Sequence, residues 1–360
     1  MQKSTRVSRM LLSLCLAWGS TIFTGAFAGQ GYGGENLNLP NWDRQLALGA
    51  VSLPDVRREA SRMVDLTLAG SEADLLDELN KLASMSGWAQ PEAEAVIYEF
   101  IQQLRPLPPF SVNQAVVDFV VNYQPQVLVP HEESMSMGVP LFPIRAAAAG
   151  LVNQWTREQA RADAQLLLVN RPSELLGTYA SNSDSNIRAG IERSLEGADK
   201  ASLDYLLQLG LPLLEAYPDL TGLLGKAAIR TRDMRSIAQV IRQGSGHPLV
   251  DLSRRLKHGF SSEELAYVLL ETLESAPQST ASIVLAELAP FSIHQAGVGD
   301  ALLDKLDDPV LGSSVALALA TWGSAEQRKA LQVHADALPD SLASKRINTA
   351  LAVSRPGGER

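Results

Sequence analysis

Cysteine is all but missing from this chain: Cys15 is the single one in 360 residues. It lies in an N-terminal segment with the layout of a cleaved signal peptide. The remainder is therefore expected to hold no disulfide, no thiolate metal ligand and no thiol nucleophile. Positive charge is scarce as well. The 31 Lys and Arg stand against 40 Asp and Glu, a net charge of −9, and loss of Lys3, Arg6 and Arg9 deepens the deficit. Such a balance opposes general affinity for nucleic acid or anionic lipid. No apolar run reaches the roughly 20 residues of a bilayer-spanning helix; Met10 to Phe23 stops short.

The marks of common catalytic sites are missing too. There is no G-x-S-x-G elbow, no Walker sequence, no G-x-G-x-x-G after a strand and no penicillin-binding set. The five histidines, His131, His247, His258, His294 and His334, include no i, i+4 pair for a helical metal site. His247 and His258 are three helical turns apart, but the sequence from Gly244 to Pro248 (GSGHP) is expected to break any helix at His247. The acidic pairs Glu263-Glu264 and Asp307-Asp308 sit at expected helix starts, where the helix dipole explains them. The chain therefore reads as non-enzymatic, with no catalytic residue, metal or cofactor expected.

What is present begins with Lys3, Arg6 and Arg9 as a basic head, then the apolar core, then Ala26-Phe27-Ala28 as an A-x-A ending. Residues 1–28 thus read as a secretory signal peptide. An uncleaved anchor would want a longer core, and lipid attachment at Cys15 would want a small residue where Leu14 stands. The protein is expected to be periplasmic or secreted, with no stable membrane insertion after cleavage. Its size suffices to bury a core without crosslinks.

Residues 29–41 (GQGYGGENLNLPN) read as a flexible leader. An N-terminal helical subdomain follows over residues 42–122. After Pro54, apolar residues recur at Val56, Ala60, Met63, Val64 and Leu68, with Gly70 as a stop. Ser71 opens a helix striped by Leu75, Leu76, Leu79, Leu82 and Ala83. Pro91 begins one striped by Ala93, Val96, Ile97, Phe100, Ile101 and Leu104. Ser111 to Gln114 reads as a capping box ahead of Val116 and Val120. Residues 123–143 carry Pro125, Pro130, Pro140 and Pro143 and no helical stripe. They read as an ordered loop or linker with a short extended piece at Gln126 to Val129.

Helical patterns resume at Ile144 and run to the end of a second region, residues 144–354. Ile144-Arg145 leads into Ala148, Leu151 and Trp155; Ile187-Arg188 leads into Ile191 and Leu195; Asp308-Pro309-Val310 leads into Val315, Ala318, Leu319 and Trp322. Capping boxes at Thr156 to Gln159 and Ser261 to Glu264 mark partner helices. Over roughly residues 144–353 the chain resembles the HEAT and armadillo-like helical repeat superfamily. That family's unit runs D-x-x-x-V-R into a first helix, a glycine turn and a second helix. Leu306 through Val310, Ala316, Leu319, Gly323 and Leu331 fit it best, although Leu311 stands where the arginine belongs. The resemblance implies an all-α fold of helical hairpins stacked into a short HEAT-like α-solenoid, whose exposed surface binds proteins or peptides. An irregular helical bundle is the alternative.

Two constellations carry possible chemistry. His131, Met135 and Met137 offer one imidazole and two thioethers that would suit a soft cation, but methionine is also a common filler where a loop packs on helices. The second is a basic stretch in an acidic chain: Lys226, Arg230, Arg232, Arg235, Arg242, Arg254, Arg255 and Lys257, opposed only by Asp233 and Asp251. Arginine forks bind carboxylates and phosphates, so Arg230, Arg232, Arg235, Arg242, Arg254, Arg255 and Lys257 are the candidate partner-binding residues. The competing reading is a solvated face whose cations pair with acids of neighbouring helices. Trp155 and Trp322 read as core anchors. The expected function is an exported scaffold for a protein partner with an acidic surface. The alternatives are a helical-hairpin enzyme acting on an envelope glycan and a carrier of a small ligand or metal.

Overall fold

The computed structural model describes residues 39–84, 87–109, 112–337 and 339–354. The expected signal peptide, and residues 29–38 of the expected leader, lie outside the described residues. The fold is all-α: the described residues form 18 α-helices, and the one sheet has two strands.

The first five helices are α1 (Arg44–Gly49), α2 (Leu53–Leu68), α3 (Glu72–Ala83), α4 (Gln90–Leu104) and α5 (Gln114–Asn122). Most of the expected stripe residues of α2 to α4 face inward, but Leu68, expected in the α2 stripe, is exposed at that helix's last residue. Val56, Ala60 and Met63 of α2, Leu75, Leu79 and Leu82 of α3, and Phe100, Ile101 and Leu104 of α4 are all buried. Gly70 follows α2 at φ 71°, the left-handed stop that a side chain would resist. α5 is capped by Asn113, whose Oδ1 accepts the Ala115 amide at 2.8 Å; Ser111, the expected cap, lies outside the described residues.

The proline-rich stretch is a hairpin, β1 (Leu128–His131) against β2 (Ser134–Pro140), antiparallel, with its register shifting between Pro130 and His131. Buried Val127 and Val129 seat it. Glu94 of α4 holds it from beneath, its Oε1 accepting the Gln126 amide at 2.5 Å and the Val127 amide at 3.2 Å. Asn41 holds it from the side. Its Nδ2 donates to the Gln126 carbonyl at 2.7 Å and its Oδ1 accepts the Leu128 amide at 2.8 Å.

The remaining helices are α6 (Ile144–Asn170), α7 (Pro172–Ser181), α8 (Ser185–Ser194), α9 (Lys200–Gly210), α10 (Thr221–Thr231), α11 (Met234–Gln243) and α12 (Gly246–Gly259). After these come α13 (Ser262–Ser275), α14 (Gln278–Ser292), α15 (Val298–Leu303), α16 (Gly312–Trp322), α17 (Ala325–Ala337) and α18 (Leu342–Ser354). Alternate helices stack on one another. One layer runs α2, α4, α6, α8, α10, α12, α14, α16, α18, each member packed against the next. The intervening helices pack likewise as α3 on α5, α7 on α9, and α11 on α13 on α15.

Side chains tie helices that lie a little over thirty residues apart along the chain. Arg188 reaches Asp219, Arg232 reaches Glu264, Arg254 reaches Glu287 and Gln327 reaches the Ile293 carbonyl, separations of 31, 32, 33 and 34 residues. The interval from Ile144 to Ile187 is longer because α6 has 27 residues.

α6 is where the two hydrophobic cores meet. Ile144, Ala147, Ala148, Leu151 and Trp155 complete a first core with α2 to α5. Ala164 and Leu168, farther along the same helix, belong to a second core that continues to Ala350. At 1.5 Å per residue α6 spans about 40 Å, enough to serve both.

Three local expectations are corrected. Thr156 does not cap a new helix: its Oγ1 donates back to the Val152 carbonyl at 2.9 Å, and α6 runs through, since no Pro or Gly interrupts residues 151–168. The break before His247 falls at Gly244–Ser245, so His247 and His258 share α12. Pro248 sits in the first turn, where its missing N–H is no loss. The two histidines are still about 16 Å apart along the axis, too far for one ion. Trp155 is a core anchor whose Nε1 donates to the Leu107 carbonyl at 2.9 Å, but Trp322 is half exposed, because α16 ends there and the chain turns at Gly323. Among the described residues no helix is long and apolar enough to cross a membrane.

Candidate interaction surface

The basic stretch falls on α10, α11 and α12, and its members divide by what they touch. Lys226 of α10 is ion-paired with Glu192 of α8, which also accepts the Tyr179 hydroxyl at 2.6 Å. Burial and the adjacent Glu192 raise the Tyr179 pKa, so this phenol stays protonated. Arg232 is the only non-glycine among the described residues with positive φ, 53°. Three contacts hold it there. Its guanidinium bonds both Glu264 oxygens at 2.7 and 2.9 Å, donates to the Gly259 carbonyl at 3.0 Å, and lies 4.6 Å from the Phe260 ring centroid. Glu264 closes the capping box of α13 with Ser261; that amide and then Arg232 pull its pKa below the ordinary carboxylate value. Arg242 reaches Ser275 Oγ at 3.4 Å. Arg254 and Lys257 share Glu287 of α14 at 3.4 and 3.5 Å.

Arg230, Arg235 and Arg255 differ. All three are exposed, and among the described residues none has an acidic partner. Arg235 is the informative one. Asp233 stands two residues before it, yet the Asp233 carboxylate is occupied in capping α11: it accepts the Arg235 amide at 3.1 Å and the Ser236 hydroxyl at 2.6 Å. The guanidinium is left to solvent at the edge of a shallow concavity of about 510 Å³ lined by Asp233, Met234, Arg235 and Tyr267. Tyr267 of α13 is 39 % exposed.

A second cleft was not legible in the sequence. It has a volume of about 340 Å³ and lies where the two cores meet, lined by Arg105, Gly150, Gln154, Arg157, Glu158 and Arg193. Arg105 comes from the turn after α4, Arg157 from the middle of α6 and Arg193 from the end of α8. No charge run or spacing connects them, so only the fold reveals the cluster.

Elsewhere the chemistry is local. His131 Nδ1 accepts the Glu133 amide at 3.1 Å, closing the hairpin turn, and Met137 is partly exposed; the Met135 side chain lies outside the described residues. No group of three His, Cys, Asp or Glu residues is clustered as metal ligands among the described residues. The Glu94 carboxyl, under the hairpin, has its pKa raised by burial.

No family model matches the chain, and neither a curated protein nor a solved structure matches it.

Proposed function

We propose that this chain is an exported, non-enzymatic interaction protein: a HEAT-like helical repeat that offers its α11–α13 face to an acidic surface of a protein partner in the cell envelope. One observation carries the reading. Asp233, Met234, Arg235 and Tyr267 line a single open concavity, and among the described residues the Arg235 guanidinium has no acidic partner, while the Asp233 carboxylate caps α11. Arginine, tyrosine and methionine are enriched at the centres of protein interfaces, and Tyr and Arg at their hot spots. A partner carboxylate would find a free fork to bind bidentately.

The repeat reading is supported by alternate-helix stacking and by cross-unit ties 31 to 34 residues apart. Export is supported by the basic head, apolar core and A-x-A ending of residues 1–28.

The test is affinity capture from envelope extract with the tagged full chain and with Arg235→Glu and Tyr267→Ala variants. A partner retained at low salt, released at high salt and lost in both variants, with their thermal midpoints unchanged, supports the proposal. Capture that both variants retain contradicts it.

A further inference from the structure

The arginine cleft at the junction of the two cores points to a ligand. Its cations come from three separate elements. The turn carrying Arg105 is clamped to α6 by two bonds, Gln154 Nε2 to the Arg105 carbonyl at 3.0 Å and Trp155 Nε1 to the Leu107 carbonyl at 2.9 Å. α8 is brought against α6 at Gly190, where a Cβ would stand 2.3 Å from the Arg157 carbonyl oxygen and 2.8 Å from the Ala160 Cβ. That close approach places Arg193, one turn on, beside Glu158 at 3.0 Å.

Charge in the cleft is not balanced. Glu158 is its one acidic lining residue, and it is shared between Arg193 at 3.0 Å and Arg161 at 3.2 Å. Glu196 adds only a long contact to Arg193, 3.8 Å. Arg157 Nε donates back along α6 to the Asn153 carbonyl at 3.1 Å, and among the described residues neither Arg157 nor Arg105 has an acidic partner. In a chain with nine more acids than bases, these three exposed arginines form a local positive patch that attracts an anion, most strongly at low ionic strength. The volume is within the range of small-molecule sites, and the polar lining suits a charged ligand over an apolar one.

We propose that this cleft binds a small polyvalent anion bearing phosphate or carboxylate groups, held by the forks of Arg105, Arg157 and Arg193. Because Arg105 hangs from the first core and Arg193 from the second, the anion bridges the two halves across α6. The site is separate from the α11–α13 face and stands without it.

The test uses the full chain with inorganic pyrophosphate and with citrate, against sodium chloride at equal ionic strength, by calorimetry and by hydrogen exchange. The expected result is saturable one-site binding of pyrophosphate, of citrate or of both, which tells phosphate from carboxylate preference. Binding should weaken at least tenfold in Arg157→Gln and in Arg105→Gln and stay unchanged in Arg255→Gln. Bound anion should slow exchange in residues 105–107 and 190–193 together. Two variants at exposed positions guard against one of them failing to fold. No saturable binding of either probe overturns the proposal, as does binding that both cleft variants retain.

Discussion

Two sets of arginines in this molecule invert what their sequence positions suggest. Those from Arg230 to Arg255 crowd into one short stretch, yet half of them are taken up by acids and hydroxyls of neighbouring helices: Arg232 by Glu264, Arg242 by Ser275, and Arg254, with Lys257, by Glu287. Arg105, Arg157 and Arg193 are far apart in sequence, yet line one cleft. Stacked helical hairpins account for both. Successive helices carry neighbouring residues onto different packing partners, where Arg254 meets Glu287 33 residues along, while a long helix shared by two cores draws remote residues together. Charge density along such a chain therefore says little about charge density on its surface.

Substitutions at the junction of the two cores should cost more than substitutions at an ion pair between helices. Gly190→Leu forces α8 off α6 at the Arg157 carbonyl and should destabilise by about 3 kcal/mol, as overpacked sites do. Urea unfolding measures it, and anion binding in the cleft should fall with it. Lys226→Met leaves Glu192, 19 % exposed, with Tyr179 as its remaining partner and should cost about 2 kcal/mol; a loss under 0.5 kcal/mol would show the pair to be idle.

Arg232 separates backbone from side chain. Arg232→Ala loses the Glu264 and Phe260 contacts and keeps a left-handed backbone, whereas Arg232→Gly loses the same contacts and relieves it. The alanine variant should be the less stable of the two by about 1 kcal/mol in chemical denaturation. Smallest of all, Arg255→Glu should move stability by less than about 0.5 kcal/mol, as an exposed residue without an acidic partner should.

Much of the architecture was legible because it rests on periodicity. Val56, Ala60 and Met63, Leu75, Leu79 and Leu82, and Val96 to Leu104 are buried at helical spacing, whereas Leu68, read into the same stripe as Val56, is exposed at the end of α2; the Ser261–Glu264 capping box forms. What escaped depends on contacts remote in sequence. Thr156 looks like a cap until its hydroxyl is seen bonding backward within α6. The hairpin of residues 128–140 is fixed by Asn41 and Glu94, which no local pattern links to it. Of the basic stretch, the sequence supplied the residue types but not which would be neutralised. That depended on Glu264 and Glu287, residues on helices whose register the sequence left open. The arginine cleft had no local signal at all.

The α11–α13 concavity is proposed as the partner-facing surface. Its most direct test is a photo-crosslinking residue placed at Tyr267 in the full chain within cells, with the same residue at Leu317, 47 % exposed on α16, as control. The expected result is one adduct from position 267, absent from position 317 and abolished by Arg235→Glu. No adduct from 267, an equal adduct from 317, or an adduct indifferent to Arg235→Glu would contradict it.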